Sequence, residues 1–185
     1  MVYKTIISID DLKNNLNNDD FLIFDSRCDI KDSGYGIDSY TEGHIPNSIF
    51  VDVDTDLASE KRPGTGRHPL PDPNTFSEKL SHWGMSNNKQ VVVYDDAGGA
   101  FAGRLWWMLK WLGHEAVAVL DGGLNSWVKG GNKLVTTPTV FEKAHFEPRV
   151  QENMIATVED VEEAQFKMNT ILLDARSKER YQGIN

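Results

Sequence analysis

At 185 residues, 39% hydrophobic and 25% charged, the chain is long enough for one α/β domain plus a remainder, or for one large domain with a proper core. Its formal net charge of −9 argues against nucleic acid and anionic membrane as partners, so any site for a small anion must be built locally, from arginines and helix N-termini. The one cysteine, Cys28, excludes an intrachain disulfide and fits a reducing, cytoplasmic setting, and the sequence shows neither a bilayer-length apolar run nor a signal pattern.

Ser8, with an acidic residue three places on at Asp11, reads as an N-cap leading a helix to about Asn17. A turn at 17–20 precedes Phe21-Leu22-Ile23-Phe24, a buried strand ending in Asp25-Ser26-Arg27. A long polar segment then runs through Gly34 and Gly36 to Tyr40 and on to Gly43-His44-Ile45-Pro46. Ile49-Phe50-Val51 is a short strand candidate. Asp52 to Pro73 reads as an extended loop, and a structureless stretch of that length in a compact domain is usually functional or a packing arm. Thr75 to Trp83 reads as a helix closed by Gly84.

The most informative stretch follows. Val91-Val92-Val93-Tyr94 is a β-branched run short enough for a buried strand. It leads into an acidic, glycine-bearing turn, Asp95 to Ala100, and then into a helix with Leu105, Met108, Leu109 and Leu112 at helical spacing, stopped by Gly113. Ala116 to Leu120 is a second strand, followed by Asp121-Gly122-Gly123 and a short helix carrying Trp127. Strand, loop and helix alternating in this way predict an α/β fold: a parallel sheet of about five strands with helices on both faces and Val91–Tyr94 at its centre. Such sheets bind ligands at the carboxyl ends of their strands, where helix N-termini offer unpaired N–H groups. A cysteine in the loop after Tyr94 would be an activated nucleophile. Asp95 and Asp96 stand there instead, and a carboxylate can cap those N–H groups but cannot do the work of a thiolate.

After Trp127 the sequence turns irregular, like a linker laid over a surface, and then the beginning returns. Ser8-Ile9-Asp10-Asp11-Leu12 is echoed by Thr157-Val158-Glu159-Asp160-Val161, and Leu22-Ile23-Phe24-Asp25-Ser26-Arg27 by Ile171-Leu172-Leu173-Asp174-Ala175-Arg176. Each pair is separated by 149 positions (8 and 157, 25 and 174, 27 and 176), and one constant offset through a cap, a strand and a strand-end Asp-x-Arg indicates a repeat. The expected organisation is a first domain over 1–145, a linker over 146–156, and over 157–185 the start of a second, truncated domain. In that second copy Ile171-Leu172-Leu173 would be a central strand, left without its neighbours and therefore prone to pair with an outside partner.

These pieces, with Gly66-Arg67-His68-Pro69-Leu70-Pro71, Arg104-Leu105-Trp106-Trp107-Met108 and Leu120-Asp121-Gly122-Gly123-Leu124, resemble the N-terminal half of the tandem-domain rhodaneses, the thiosulfate and 3-mercaptopyruvate sulfurtransferases. The tail from Thr157 to Gly183 is similar to the opening of their second domain. The resemblance implies that the first domain is inert and that the second carries a Cys-x-x-Gly loop whose cysteine becomes a persulfide. Counting back from Leu112-Gly113-His114 puts Asp96 at the cysteine's place, within one residue, so no catalytic residue is expected in this chain and the active loop would lie beyond Asn185. Arg180 matches the arginine that binds the anionic substrate. The implied parent takes sulfane sulfur from thiosulfate or 3-mercaptopyruvate, a small anionic donor, to cyanide or a thiol acceptor, with the second rhodanese domain of the same polypeptide as partner and no cofactor. The alternative is a non-catalytic rhodanese-like binding or regulatory module, since fold does not guarantee function; a phosphatase on the same fold is a distant third.

Other features carry blander readings. Cys28 lacks the glycine-rich strand-to-helix loop that would activate it. His44, His68, His82, His114 and His145 are scattered without paired ligand spacing, so no metal site is expected. Asp25 with Arg27, and Asp174 with Arg176, read as strand-end ion pairs that fix loops, and Trp106, Trp107 and Trp111 as core or interface.

Overall fold

The structure is a computed structural model that describes residues 2–184. The chain falls into two compact units, one ending at Gln151 and the other beginning at Glu152.

The first unit is built on a five-stranded, wholly parallel sheet in the order β1-β5-β4-β2-β3. Its strands are β1 (Ile6–Ile7), β2 (Phe21–Asp25), β3 (Ser48–Phe50), β4 (Gln90–Tyr94) and β5 (Val117–Leu120). The predicted parallel α/β fold is observed, and the β-branched run at 91–94 is the middle strand, every residue of it buried. In register, Phe24 faces Val93 and Asp25 faces Tyr94 across the β2–β4 pair, while Val93 faces Val119 across β4–β5. The helices are α1 (Ile9–Asn15), α2 (Tyr35–Glu42), α3 (Pro73–His82), α4 (Ala102–Trp111) and α5 (Gly123–Lys129). One face of the sheet packs Ile23, Val92, Tyr94, Ala118 and Leu120 against Leu12 of α1 and Leu124 and Trp127 of α5. Alternation along the strands sends Phe24 to the other face, where its ring meets Trp83 at the end of α3 edge-on, with centroids 5.7 Å apart. Each large side chain removed from water here stabilises the fold by about 1.5–3 kcal/mol.

Two elements depart from the sequence reading. The polar segment before Tyr40, to which the sequence assigns no element, holds a helix over Tyr35–Glu42, with Gly34 at its N-cap and Gly43 at its C-cap. Gly36 lies inside this helix, where α2 packs so closely that a Cβ would lie 2.4 Å from the Arg27 carbonyl oxygen. The two-residue strand β1 is too short to give a periodic signal. Elsewhere the caps are as read: the Ser8 hydroxyl accepts the Asp11 N–H at 3.1 Å. Helix α3 begins two residues earlier than expected because the Asp72 carboxylate caps Asn74 and Thr75 with Pro73 in the first turn.

Among the described residues the second unit holds a 3₁₀ turn (Glu152–Met154), α6 (Val158–Ala164) and α7 (Lys178–Tyr181). Thr157 and Asp160 form a reciprocal capping box at the start of α6. Ile171, Leu172 and Leu173 form no ladder and are 82%, 55% and 90% exposed. Their counterparts Leu22–Phe24 lie between β3 and β4, and a strand without such neighbours has no partners for its N–H and C=O groups. Among the described residues no helix is long and apolar enough to cross a membrane.

Candidate functional site

All five strands of the first unit run in one direction, so their carboxyl ends share an edge, and the chemistry-bearing side chains collect there. The loop from β4 to α4 turns through two left-handed glycines, Gly98 (φ 70°) and Gly99 (φ 89°). It wraps one carboxylate. Asp95 Oδ1 accepts the N–H groups of Ala97 at 3.0 Å and Gly99 at 2.9 Å, and Oδ2 accepts those of Phe101 at 2.8 Å and Ala102 at 2.9 Å. Asp95 is 1% exposed. Its backbone carbonyl accepts the Leu124 N–H at 2.8 Å, which ties the loop to the start of α5. The count back from Leu112-Gly113-His114 points to Asp96 within one residue; the ring of donors closes on Asp95. Asp96 is half-buried beside it, its carboxylate accepting the Tyr35 hydroxyl and its carbonyl accepting Asn125 Nδ2 at 2.9 Å.

Next to this loop, at the end of β2, lies a buried polar cluster. Arg27 donates through Nε to both oxygens of Asp25 at 3.0 Å, through Nη2 to Oδ2 at 2.7 Å and to the Gly43 carbonyl at 2.8 Å. The Tyr94 hydroxyl donates to Asp25 Oδ2 at 2.7 Å and accepts the Ile45 N–H at 3.1 Å. Burial opposes the Arg27 charge, but the hydrogen bonds and charge of Asp25 outweigh it and hold the guanidinium pKa above its ordinary value. Burial first, then the charge of Asp25, pushes the Tyr94 phenol well above its usual range. The pair is a fixed brace between β2, β4 and the turn before β3.

Cys28 follows the brace, half-buried over a cavity of about 10 Å³. Burial raises its thiol pKa, the carboxylates of Asp54, Asp52 and Asp29 add to the rise, and Arg67 opposes it. A thiol held protonated in this way is a poor nucleophile. On the same edge, an open groove of about 620 Å³ is lined by Ile30, Lys31, Asp54, Lys61 and Arg67. Beside it His68 Nε2 lies 2.7 Å from Asp54 Oδ1. Nothing in the sequence singles out this pair, because the two residues sit 14 positions apart in a loop without periodicity. His44, by contrast, is fully buried between the Tyr40 carbonyl of its own turn and the Thr137 carbonyl 93 positions on, and ties the two segments together.

In the second unit Arg180 is exposed on α7, its N–H donating to Ser177 Oγ. Asp174 and Arg176 repeat the four bonds made between Asp25 and Arg27 themselves: Arg N to Oδ1, Nε to both oxygens and Nη2 to Oδ2, at 2.9, 2.9, 2.9 and 2.6 Å. The first-unit values are 3.1, 3.0, 3.0 and 2.7 Å. The hydrogen bonds from Arg176 lower the Asp174 pKa to about 2.

The family model of the rhodanese-like domain matches residues 8–130. The probable 3-mercaptopyruvate sulfurtransferase of Pseudomonas aeruginosa is 37% identical over 180 residues, covering 96% of this chain and 63% of that protein. The thiosulfate sulfurtransferase of Rattus norvegicus is 34% identical over 148 residues, covering 78% of this chain and 48% of that protein. The chain therefore spans less than two thirds of the length of these relatives. Among solved structures, the 3-mercaptopyruvate sulfurtransferase of Leishmania major superposes with a TM-score of 0.83 at 29% identity, over 97% of this chain and 48% of that one. Escherichia coli SseA superposes with the same TM-score at 27% identity, over 97% and 68%.

Proposed function

We propose, from the premise that this chain belongs to the rhodanese-like domain family, that it is the inert half and the opening of the active half of a sulfurtransferase. The parent enzyme takes sulfane sulfur from thiosulfate or 3-mercaptopyruvate onto a cysteine and passes it, by double displacement, to cyanide or a thiol in a reducing, cytoplasmic setting. The first unit supplies no nucleophile, with Asp96, within one residue, standing at the loop-cysteine position. Residues 157–185 begin the second rhodanese-like domain after a linker over 146–156. Arg180 there binds the anionic donor, and the catalytic cysteine lies outside these 185 residues.

The observation that carries this reading is the recurrence of the Asp25–Arg27 brace at Asp174–Arg176, with the same four hydrogen bonds, at a spacing of 149 residues. A local clamp kept even where it is exposed supports descent of the tail from the same module. A longer reading frame should then carry a Cys-x-x-Gly loop about 149 positions after the loop at 95–96. The reaction itself is tested by thiocyanate release from thiosulfate and from 3-mercaptopyruvate with cyanide. The 185-residue chain should show no turnover above buffer. Turnover that disappears in Cys28→Ser would make Cys28 the nucleophile and overturn the assignment.

A further inference from the structure

After α5 the chain runs back over the first unit as a strap. Trp127 Nε1 holds its start by donating to the Lys133 carbonyl at 3.0 Å, and the Ser81 carbonyl holds its far half by accepting the Ala144 N–H at 2.9 Å. Between those points the strap meets the C-terminal end of α2 at His44. The His44 N–H donates to the Val135 carbonyl and the Val135 N–H to the His44 carbonyl, both at 2.9 Å. The imidazole adds two contacts: Nδ1 lies 2.7 Å from the Tyr40 carbonyl oxygen and Nε2 lies 3.1 Å from that of Thr137. Both of these oxygens accept and neither can donate. A neutral imidazole has one N–H and one bare nitrogen, so it satisfies one of the two carbonyls; only the imidazolium donates to both. The ring is fully buried, so a bare nitrogen aimed at a carbonyl has no solvent to screen the repulsion.

The surroundings also bear on a charge here. Tyr40 supplies one of the last carbonyls of α2, the end of a helix that favours a cation. Its ring stacks on the imidazole with centroids 3.8 Å apart and planes 8° from parallel, presenting a π face to it. Against the charge stand burial and the Arg27 guanidinium, which donates to the neighbouring Gly43 carbonyl but is itself paired with Asp25. Tyr94 meets the next residue, its hydroxyl accepting the Ile45 N–H. From the strap Leu134, Val135, Thr137 and Thr139 bring no ionisable side chain.

We propose that His44 is a proton-dependent latch on this strap. With a proton on each nitrogen the ring ties Thr137 to the end of α2. The proton that leaves to solvent is the one on Nε2, because the Nδ1 bond is the shorter and lies within the histidine's own turn. Bare Nε2 then faces the Thr137 carbonyl, and the strap loosens between Lys133 and Ala144. The latch works whether or not the parent enzyme transfers sulfur, so the two readings can fail separately.

The test is a nitrogen-15 titration of the histidine rings in the full chain from about pH 5 to about pH 9, read together with the backbone amides. At the acid end both His44 nitrogens should resonate as protonated. As pH rises Nε2 should move to the position of a bare nitrogen while Nδ1 keeps its proton, and the amides of Val135, Thr137 and Thr139 should shift with the same midpoint. Across that midpoint the protection of the Val135 amide against exchange should fall roughly tenfold. Two other histidines belong to the strap's far half: exposed His145, and His114, edge-on to Phe146 with centroids 5.9 Å apart. In the double variant His114→Gln/His145→Gln the movement at 135–139 should persist. In His44→Gln, whose side chain cannot change charge, it should vanish. Where His44→Gln fails to fold, the ring titration of the unsubstituted chain decides. A His44 ring whose proton count stays constant over the whole range overturns the proposal. So does a ring that titrates while the amides at 135–139 stay still, or movement there that disappears with His114 and His145.

Discussion

Asp25 shows how much one residue can commit a local structure. Fully buried, it accepts bonds from the Arg27 backbone, the Arg27 guanidinium and the Tyr94 hydroxyl, so its charge is tolerable only while that set is complete. Breaking such a pair leaves an uncompensated buried charge, whereas replacing both partners removes the penalty as well. Arg27→Met should cost about 3–5 kcal/mol in urea unfolding, and the double variant Asp25→Leu/Arg27→Met should be less damaged than the single one. A double variant as unstable as the sum of its parts would show that the pair is not coupled. The sequence revealed the Asp-x-Arg, but not its Tyr94 partner, because that contact crosses 69 positions and depends on the β2–β4 register. His114 makes a prediction in pH. Burial lowers its pKa below 6.5, with its Nε2 set 3.1 Å from the Ala116 carbonyl, so the unfolded chain takes up a proton that the folded one refuses. Its contribution is therefore present above pH 6.5 and lost as pH falls toward the depressed folded value. The urea midpoint should drop between about pH 7 and pH 5, and drop less steeply in His114→Gln; equal slopes would remove His114 as the cause.

At the scale of elements, legibility followed the density of apolar residues. The strands β2, β4 and β5 each carry a continuous apolar run, Phe21–Phe24, Val91–Tyr94 and Val117–Leu120, and declare themselves. Helix α2 does not, because Gly34, Gly36 and Gly43 imitate a loop and only Tyr40 and Gly36 of its residues are buried. The long loop after β3 was legible as loop but not as a held one. Arg104, in the first turns of α4, donates through Nε and Nη2 to the Leu57 carbonyl at 3.0 and 2.6 Å and through Nη2 to the His68 carbonyl at 3.0 Å. With the Ser59 N–H donating to the Pro69 carbonyl at 2.9 Å, this closes the base of a loop whose residues 59–67 are exposed. Burial lowers the Arg104 pKa, and the three carbonyl bonds are what fix its guanidinium. A lysine keeps the charge but cannot span both carbonyls. Arg104→Lys should destabilise the fold by only about 1–2 kcal/mol, yet trypsin should cut sooner after Lys61 and Arg67. Unchanged cleavage rates would mean that the loop is held by other contacts.

At the scale of the whole molecule, the two units differ in how much apolar surface they bury. The first has a two-faced core around β4, while among the described residues of the second none is buried and only Met154, Val161 and Ala164 are half-buried. What structure the second unit has is local: a capping box at α6, a serine cap at α7 and the Asp174–Arg176 clamp, all between residues within four positions of one another. Isolated helices of this length are marginal in water, since nucleation costs more than a few hydrogen bonds return. Amides of residues 158–181 should therefore exchange with deuterium within seconds to minutes, while those of Val91–Tyr94 exchange only with global unfolding. A chain ending at Gln151 should melt within about 2 °C of the full chain, because the missing part buries so little. Phe166, Met168, Ile171, Leu172 and Leu173 are all exposed in the full chain, an apolar segment outside any helix or ladder. Such a segment is a template for association, so the 185-residue chain should sediment with rising weight-average mass as concentration increases, and the chain ending at Gln151 should not. Replacing Leu172 with lysine should abolish the difference. A full chain that stays monomeric at high concentration, with slowly exchanging amides at 171–173, would mean that this segment already has a partner within its own molecule.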